Sequence, residues 1–368
     1  MKTSKLIQLS LLLLIPLFVK AQDRILVISG GGSKGAWGGG LAQTLVQDFD
    51  HQYQAVVGTS TGSLLAPFIA MEEFDLLKTG YTTIKDKDIF NVNPFKTKGR
   101  KRGKLKSFKA FLRIAIGKRT IGESKNLRKT IRRFYTQEMY DALKSAGKEQ
   151  IATVTNITTD SVEYKSSNDY TYDEMVDWMW ASSNQPVFMS LFKTVDRING
   201  KKFKQFYVDG GLKEAAPLAQ GIELACENDI SHVDVIVHST LDPRLDTIES
   251  GGAMKLLGRT IELFMTEVRQ NDLAAAKGQF KVIESIEENC EQLAEADYVT
   301  VTYYYMPEAD YHYATSDLIF RQSEMRELWK RGQEHVNKKM EEPQLSKLRL
   351  QVRIPRDQLC CGEIFADR

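Results

Sequence analysis

Tyr53-Gln54-Ala55-Val56-Val57 runs straight into Gly58-Thr59-Ser60-Thr61-Gly62, and a helical stretch follows from Ser63 to Met71. This is a buried strand, a sharp turn and a helix. A serine on such a turn stands clear of the backbone, and the flanking glycines are needed because side chains there would collide with the helix and the next strand. The helix N-terminus behind Ser60 favours developing negative charge. Gly-x-Ser-x-Gly alone is a weak pattern, and an incidental Gly/Ser turn is the competing reading. Its place between an apolar strand and a helix makes Ser60 a candidate nucleophile, with Gly58 and Gly62 as its elbow.

Upstream, Arg24-Ile25-Leu26-Val27-Ile28-Ser29 is a second apolar, β-branched run. It breaks into Gly30-Gly31-Gly32-Ser33-Lys34-Gly35, and a helical pattern then extends through Gly40 to Phe49. Four glycines in six positions leave backbone N–H groups free to converge on an anion. One reading is an oxyanion hole for acyl transfer. The other is a dinucleotide loop, because Gly30, Gly32 and Gly35 satisfy Gly-x-Gly-x-x-Gly. That reading requires an acid at the end of the next strand. Gly58-Thr59 stands there instead, and Asp48 and Asp50 precede the strand, so the oxyanion reading is preferred.

A nucleophilic serine needs a base. Five histidines are present, none in a recognisable loop motif; His238, ending the strand Val233–Val237, is the best placed. The alternative is Asp209, which ends the short strand Phe206–Val208 and is followed by Gly210 and Gly211. Asp-Gly-Gly is also a common structural turn.

The rest of the chain keeps the strand–helix rhythm of a parallel α/β sheet. Strands are expected at 151–157, 161–165, 233–237 and 298–305, and helices at 172–182 and about 316–340. Trp178, Trp180, Met175, Met179 and Met189 read as core rather than as the lining of an acyl pocket. No repeat or linker divides the chain, so residues 22–345 are expected to be one domain, with 346–368 a C-terminal tail.

Lys2 and Lys5 precede an apolar run, Leu6 to Val19, that ends in Val19-Lys20-Ala21. This is the layout of a secretory signal peptide over 1–21. The expectation is export to the periplasm, the outer membrane or the medium. Removing residues 1–21 carries away three lysines and no acid, moving the formal charge from +2 to −1, which favours no particular partner. Cys226, Cys290, Cys360 and Cys361 fit no zinc pattern. Export allows a disulfide such as Cys226–Cys290, but the spacing assigns none.

Together the motifs resemble the patatin-like phospholipase family. Residues 30–35, 58–62 and 209–211 match its three signatures in order, and Ala181-Ser182-Ser183-Asn184-Gln185-Pro186 is similar to its Ala-Ser-x-x-x-Pro segment. The motif-bearing core runs from about 24 to 220. The resemblance implies a three-layer α/β/α sandwich around a mostly parallel sheet, and cleavage of carboxylic esters of membrane or neutral lipids. It implies a Ser60/Asp209 dyad, an oxyanion hole from Gly30, Gly31, Gly32, Ser33, Lys34 and Gly35, and neither metal nor cofactor. One departure is that family members often carry an Asn just before the Pro, where this chain reads Leu212-Lys213-Glu214-Ala215-Ala216-Pro217.

Between Asp88 and Glu123 the chain has no acid and many bases, concentrated in 96–119. With Phe95, Phe108, Phe111 and Leu112 as anchors, this stretch could touch anionic lipid; a solvated insertion is the plainer reading. Nucleic-acid binding is not expected. Two other functions stay open: a histidine-dependent esterase using His238, and a non-catalytic lipid-binding protein. The oligomeric state is not legible.

Overall fold

Ile25–Ile28 are buried on both faces of their strand, as expected where helices cover both sides of a parallel sheet. Leu26 and Ile28 enter one apolar cluster with Trp37, Leu41 and Val56. Ile25 and Val27 enter a second with Val57, Ile222, Val233 and Val235. The alternation of the pleat therefore builds two cores, one on each face of the sheet.

The computed structural model describes residues 23–96, 104–198, 201–240, 268, 298–313, 317–339 and 349–355. The segment 1–21 and Cys290, Cys360 and Cys361 lie outside them. The sheet contains β1 (Asp23–Ile28), β2 (Gln52–Thr59), β3 (Glu149–Asn156), β4 (Ser161–Ser166), β5 (Phe192–Ile198), β6 (Lys201–Asp209), β7 (His232–Val237), β8 (Tyr298–Tyr305) and β9 (Arg349–Pro355). Its order is β5-β6-β3-β2-β1-β7-β8-β9, with β4 also paired to β3. The central pairs β3–β2, β2–β1, β1–β7 and β7–β8 are parallel, and the outer pairs antiparallel. This is the expected mostly parallel α/β/α layering.

α1 (Gly35–Gln47), α2 (Thr61–Ala70), α3 (Phe74–Thr83), α4 (Asp86–Ile89), α5 (Ser107–Ala115), α6 (Lys125–Phe134), α7 (Gln137–Ser145) and α8 (Tyr172–Ser182) come before β5. α9 (Leu218–Glu227), α10 (Glu308–Tyr311) and α11 (Gln322–Lys339) follow β6. α1 and α11 approach closely because glycine faces backbone: a Cβ on Gly40 would lie 2.0 Å from the Trp329 carbonyl oxygen, and one on Gly332 would lie 2.0 Å from that of Trp37. Trp178, Trp180, Met175, Met179 and Met189 all belong to the core, as expected.

Two expectations change. The C-terminal tail expected from residue 346 includes β9, which extends the sheet beside β8. Phe95, one of the apolar side chains considered as an anchor for lipid contact, is buried between Phe90 and Phe188. No helix among the described residues is long and apolar enough to cross a membrane.

Candidate active site

β3 positions the site. A strand has two edges, and β4 occupies one of them from Ile151 to Asn156. β2 and β6 must then share the other. β2 pairs with β3 up to Thr59↔Thr153, and β6 takes over from Asp209↔Val154. The two strands run in opposite directions and arrive end to end. Ser60 is the next residue after Thr59, so the C-terminal ends of β2 and β6 deliver Ser60 and Asp209 to the same row.

Ser60 is half-buried, with φ 55° and ψ −120°. A left-handed φ is costly for a residue with a side chain and persists only where the surroundings hold it. Here they do. The Ser182 hydroxyl accepts the Ser60 N–H at 2.9 Å and donates to the Thr153 carbonyl at 2.7 Å. The Ser60 carbonyl accepts from the Ser63 hydroxyl at 2.7 Å, the Ser63 N–H at 3.0 Å and the Ser183 hydroxyl at 3.2 Å. The elbow glycines are needed for space: a Cβ on Gly58 would lie 2.2 Å from the Gly62 carbonyl carbon, and one on Gly62 would lie 2.3 Å from the Ile28 carbonyl oxygen.

Asp209 is buried. Its Oδ1 accepts the Gly211 N–H at 2.8 Å, and its own N–H donates to the Asn184 carbonyl at 3.0 Å. Gly210 allows the close approach, since a Cβ there would lie 2.5 Å from the Thr153 carbonyl oxygen. The neighbouring Ala215, close to where the family often carries Asn, contributes its carbonyl, which accepts the Gly30 N–H at 2.9 Å.

The glycine-rich loop lies beside the nucleophile: a Cβ on Gly30 would be 3.4 Å from that of Ser60. Its six amides are not equivalent. Gly30 N–H goes to Ala215, Ser33 N–H to the Asp317 carbonyl at 2.9 Å, and Lys34 N–H to the Gly31 carbonyl at 3.1 Å. Gly35 N–H closes the same turn onto Gly32 and Ser33. Only Gly31 and Gly32 have N–H groups with no hydrogen bond among the described residues. Of the six residues expected as an oxyanion hole, four thus have their amides engaged: Gly30 by Ala215, Ser33 by Asp317, and Lys34 and Gly35 in the 3-10 turn. Gly32 has φ +55°, and a Cβ on it would meet the Asp317 carbonyl oxygen at 2.1 Å. Lys34 is buried, ion-paired with Asp317, and sits 4.1 Å from the Tyr311 ring centroid.

His238 is fully buried behind this loop. Its Nδ1 is 2.8 Å from the Ser29 carbonyl, which can only accept, so Nδ1 carries the proton. Its N–H donates to the Ser29 hydroxyl at 2.9 Å. Cβ atoms on Gly31 and Gly38 would lie 2.4 Å and 2.2 Å from the His238 side chain. It follows β7, two strands away from β2 in the sheet, and it wedges the loop in place.

Sequence reading did not single out three supports: Ser182, Asp317 and Ser124. The Ser124 hydroxyl donates to the Asn184 side chain, and its carbonyl accepts the Trp180 indole N–H at 2.9 Å. Ser182 lay inside a quoted motif, but nothing in the motif says that it braces Ser60. No group of three or more His, Cys, Asp or Glu among the described residues is arranged to hold a metal ion.

A serine on a strand–helix elbow, beside a glycine loop with free amides, defines the class of acyl-transfer hydrolases. The chain belongs to the patatin-like phospholipase family, whose model matches residues 26–222; such proteins are lipid acyl hydrolases. No curated protein matches the chain in sequence. Among solved structures it is similar to VipD from Legionella pneumophila, at 10% identity and a TM-score of 0.29, over 90% of this chain and 68% of that one. A likeness that weak adds nothing to the family assignment.

Proposed function

We propose that this protein cleaves carboxylic esters of membrane or neutral lipids through a Ser60/Asp209 dyad. The observation that carries the reading is the end-to-end meeting of β2 and β6 on one edge of β3, which brings nucleophile and carboxylate to one row. Ser60 Oγ attacks the ester carbonyl as its proton passes to Asp209. The carbonyl oxygen becomes an oxyanion facing the Gly31 and Gly32 amides. The C–O bond then breaks, and the leaving alcohol takes the proton from Asp209. Water, deprotonated by Asp209, attacks the acyl-serine and releases the fatty acid, returning the proton to Ser60. One good oxyanion donor is worth roughly 3–4 kcal/mol of barrier.

His238 is supported as a brace of the loop, because both its Nδ1 and its N–H are committed to Ser29. Export through residues 1–21 belongs to the same proposal. It is supported by disulfide-bonded Cys226, since disulfides persist in oxidising compartments. Fractionation should place the protein outside the cytoplasm with its N-terminus at Gln22; cytoplasmic protein that keeps Met1 would remove the export reading.

The test is fatty-acid release from mixed phospholipid and triacylglycerol vesicles, beside fluorophosphonate labelling. Wild type should release fatty acid and label. Ser60→Ala should do neither, and Asp209→Asn should lose at least about 10³-fold in turnover while keeping its fold. Labelling without hydrolysis would leave a reactive serine with another ester substrate. No labelling at all would leave a lipid-binding protein.

A further inference from the structure

The helix α5 is turned inside out. Its residues at helical spacing Phe108, Phe111, Leu112 and Ala115 face solvent, with Phe108 79% and Phe111 65% exposed, whereas only Ala110 is buried. Ile116, just past its end, is 62% exposed. The inward side is tethered by polar bonds: Arg113 Nε donates to the Thr120 carbonyl at 3.0 Å, and its guanidinium pairs with Glu123 at 2.8 Å. A helix that needed only solubility would show the opposite pattern.

A second element presents the same chemistry. β6 pairs with β3 only through its last three residues, so its earlier part, with β5, projects beyond the C-terminal end of β3. That is the edge bearing Ser60 and Asp209. One face of this hairpin carries Lys193, Val195 and Lys204, all exposed, and Phe206, half-buried. The α5 segment reaches it where the Arg119 guanidinium lies 4.7 Å from the Phe206 ring centroid. Behind both, Ser124 binds Asn184, whose carbonyl holds the Asp209 N–H.

The charge says what covers this surface. Lys104, Lys109 and Lys118 are exposed around α5, and no acid occurs between Asp88 and Glu123. Phenylalanines and leucine ringed by lysines match a bilayer with anionic headgroups. We propose that the outward face of α5 and the β5–β6 hairpin together dock on an anionic lipid bilayer and turn the Ser60 edge toward it. The inference takes its substrate from the lipid-hydrolase reading, but docking itself needs no turnover.

The test separates the two. Purified Ser60→Ala protein is sedimented with vesicles of phosphatidylcholine alone or of an equimolar mixture with phosphatidylglycerol. Binding should be at least about tenfold tighter to the anionic vesicles. Adding Phe108→Ser and Phe111→Ser should weaken that binding about tenfold or more. In the otherwise wild-type chain, the same two changes should leave hydrolysis of a soluble short-chain ester within about twofold, because neither residue is packed. Lys109→Glu with Lys204→Glu should remove the preference for anionic vesicles. Equal binding to both vesicle types, or undiminished binding by the phenylalanine variant, would overturn the proposal. So would loss of self-association without loss of vesicle binding, which would assign the face to a second copy. Absence of soluble-ester hydrolysis by wild type, with docking intact, would sink the hydrolase reading and leave this one standing.

Discussion

The elbow at 58–62 and the insertion carrying α5 sit on the same edge of the sheet and are held by opposite means. Around Ser60 the backbone has little room to move: glycines meet carbonyls where a single Cβ would clash, and both the N–H and the carbonyl of Ser60 are hydrogen-bonded. Around α5 one alanine is buried, and the rest is held by Arg113 and by Lys106, whose ammonium donates to the Asn93 carbonyl at 3.0 Å. Steric exclusion fixes a reacting atom to fractions of an ångström. Polar tethers hold a surface in place yet let it adapt to a soft partner. One edge of the fold thus pairs a sterically fixed elbow with a rim held by polar tethers.

The contrast is broken most severely at Gly62. Gly62→Ala puts a methyl into the Ile28 carbonyl, and a loss of about 3–5 kcal/mol or failure to fold is expected, read by denaturant melts. A near-native melt would mean that the elbow has slack after all. Ser182→Ala is the intermediate case. It removes the acceptor of the Ser60 N–H and the bridge to Thr153, costing about 1–3 kcal/mol of stability. Turnover of a soluble ester should fall with KM little changed; unchanged kcat would make Ser182 a scaffold residue only.

The smallest effect belongs to the rim. The hydrogen bond from Arg113 holds the Glu123 carboxyl below its usual range. A carboxyl whose folded pKa is depressed gives stability that is present above its unfolded pKa and lost as pH falls through the folded one. Acidification should therefore loosen 107–115 in hydrogen exchange, after correction for intrinsic rates, while α2 stays protected. Glu123→Gln at neutral pH should reproduce this for less than about 1 kcal/mol. If α2 and α5 opened together, the two regions would be one cooperative unit.

The central strands and the elbow were legible because burial on both faces leaves unbroken apolar runs, as in Ile25–Ile28 and Val233–Val237. The glycines that flank Ser60 and follow Asp209 were legible because close backbone approach permits little else. The helix α5 is not legible within the basic insertion, since its apolar side chains pack against nothing and its bases sit among them. The hairpin was half seen: Phe206–Val208 looks like a strand, but Lys201-Lys202-Phe203-Lys204 carries no burial pattern. Asp317 was beyond reach, because nothing local marks a carbonyl that will meet a loop far away in sequence. For the same reason, the glycine loop could not show that only Gly31 and Gly32 keep their amides.

The Asp317 contact also sets an order of events. Every residue of the proposed chemistry lies between Gly30 and Asp209, yet the loop beside Ser60 is pinned by Asp317, and α1 is backed by α11. A growing polypeptide possesses its nucleophile and its base well before these clasps are made. Competence is therefore expected late in the protein's own biogenesis, once the last third has arrived. Under the proposed export, the site would be completed only after the chain had crossed its membrane.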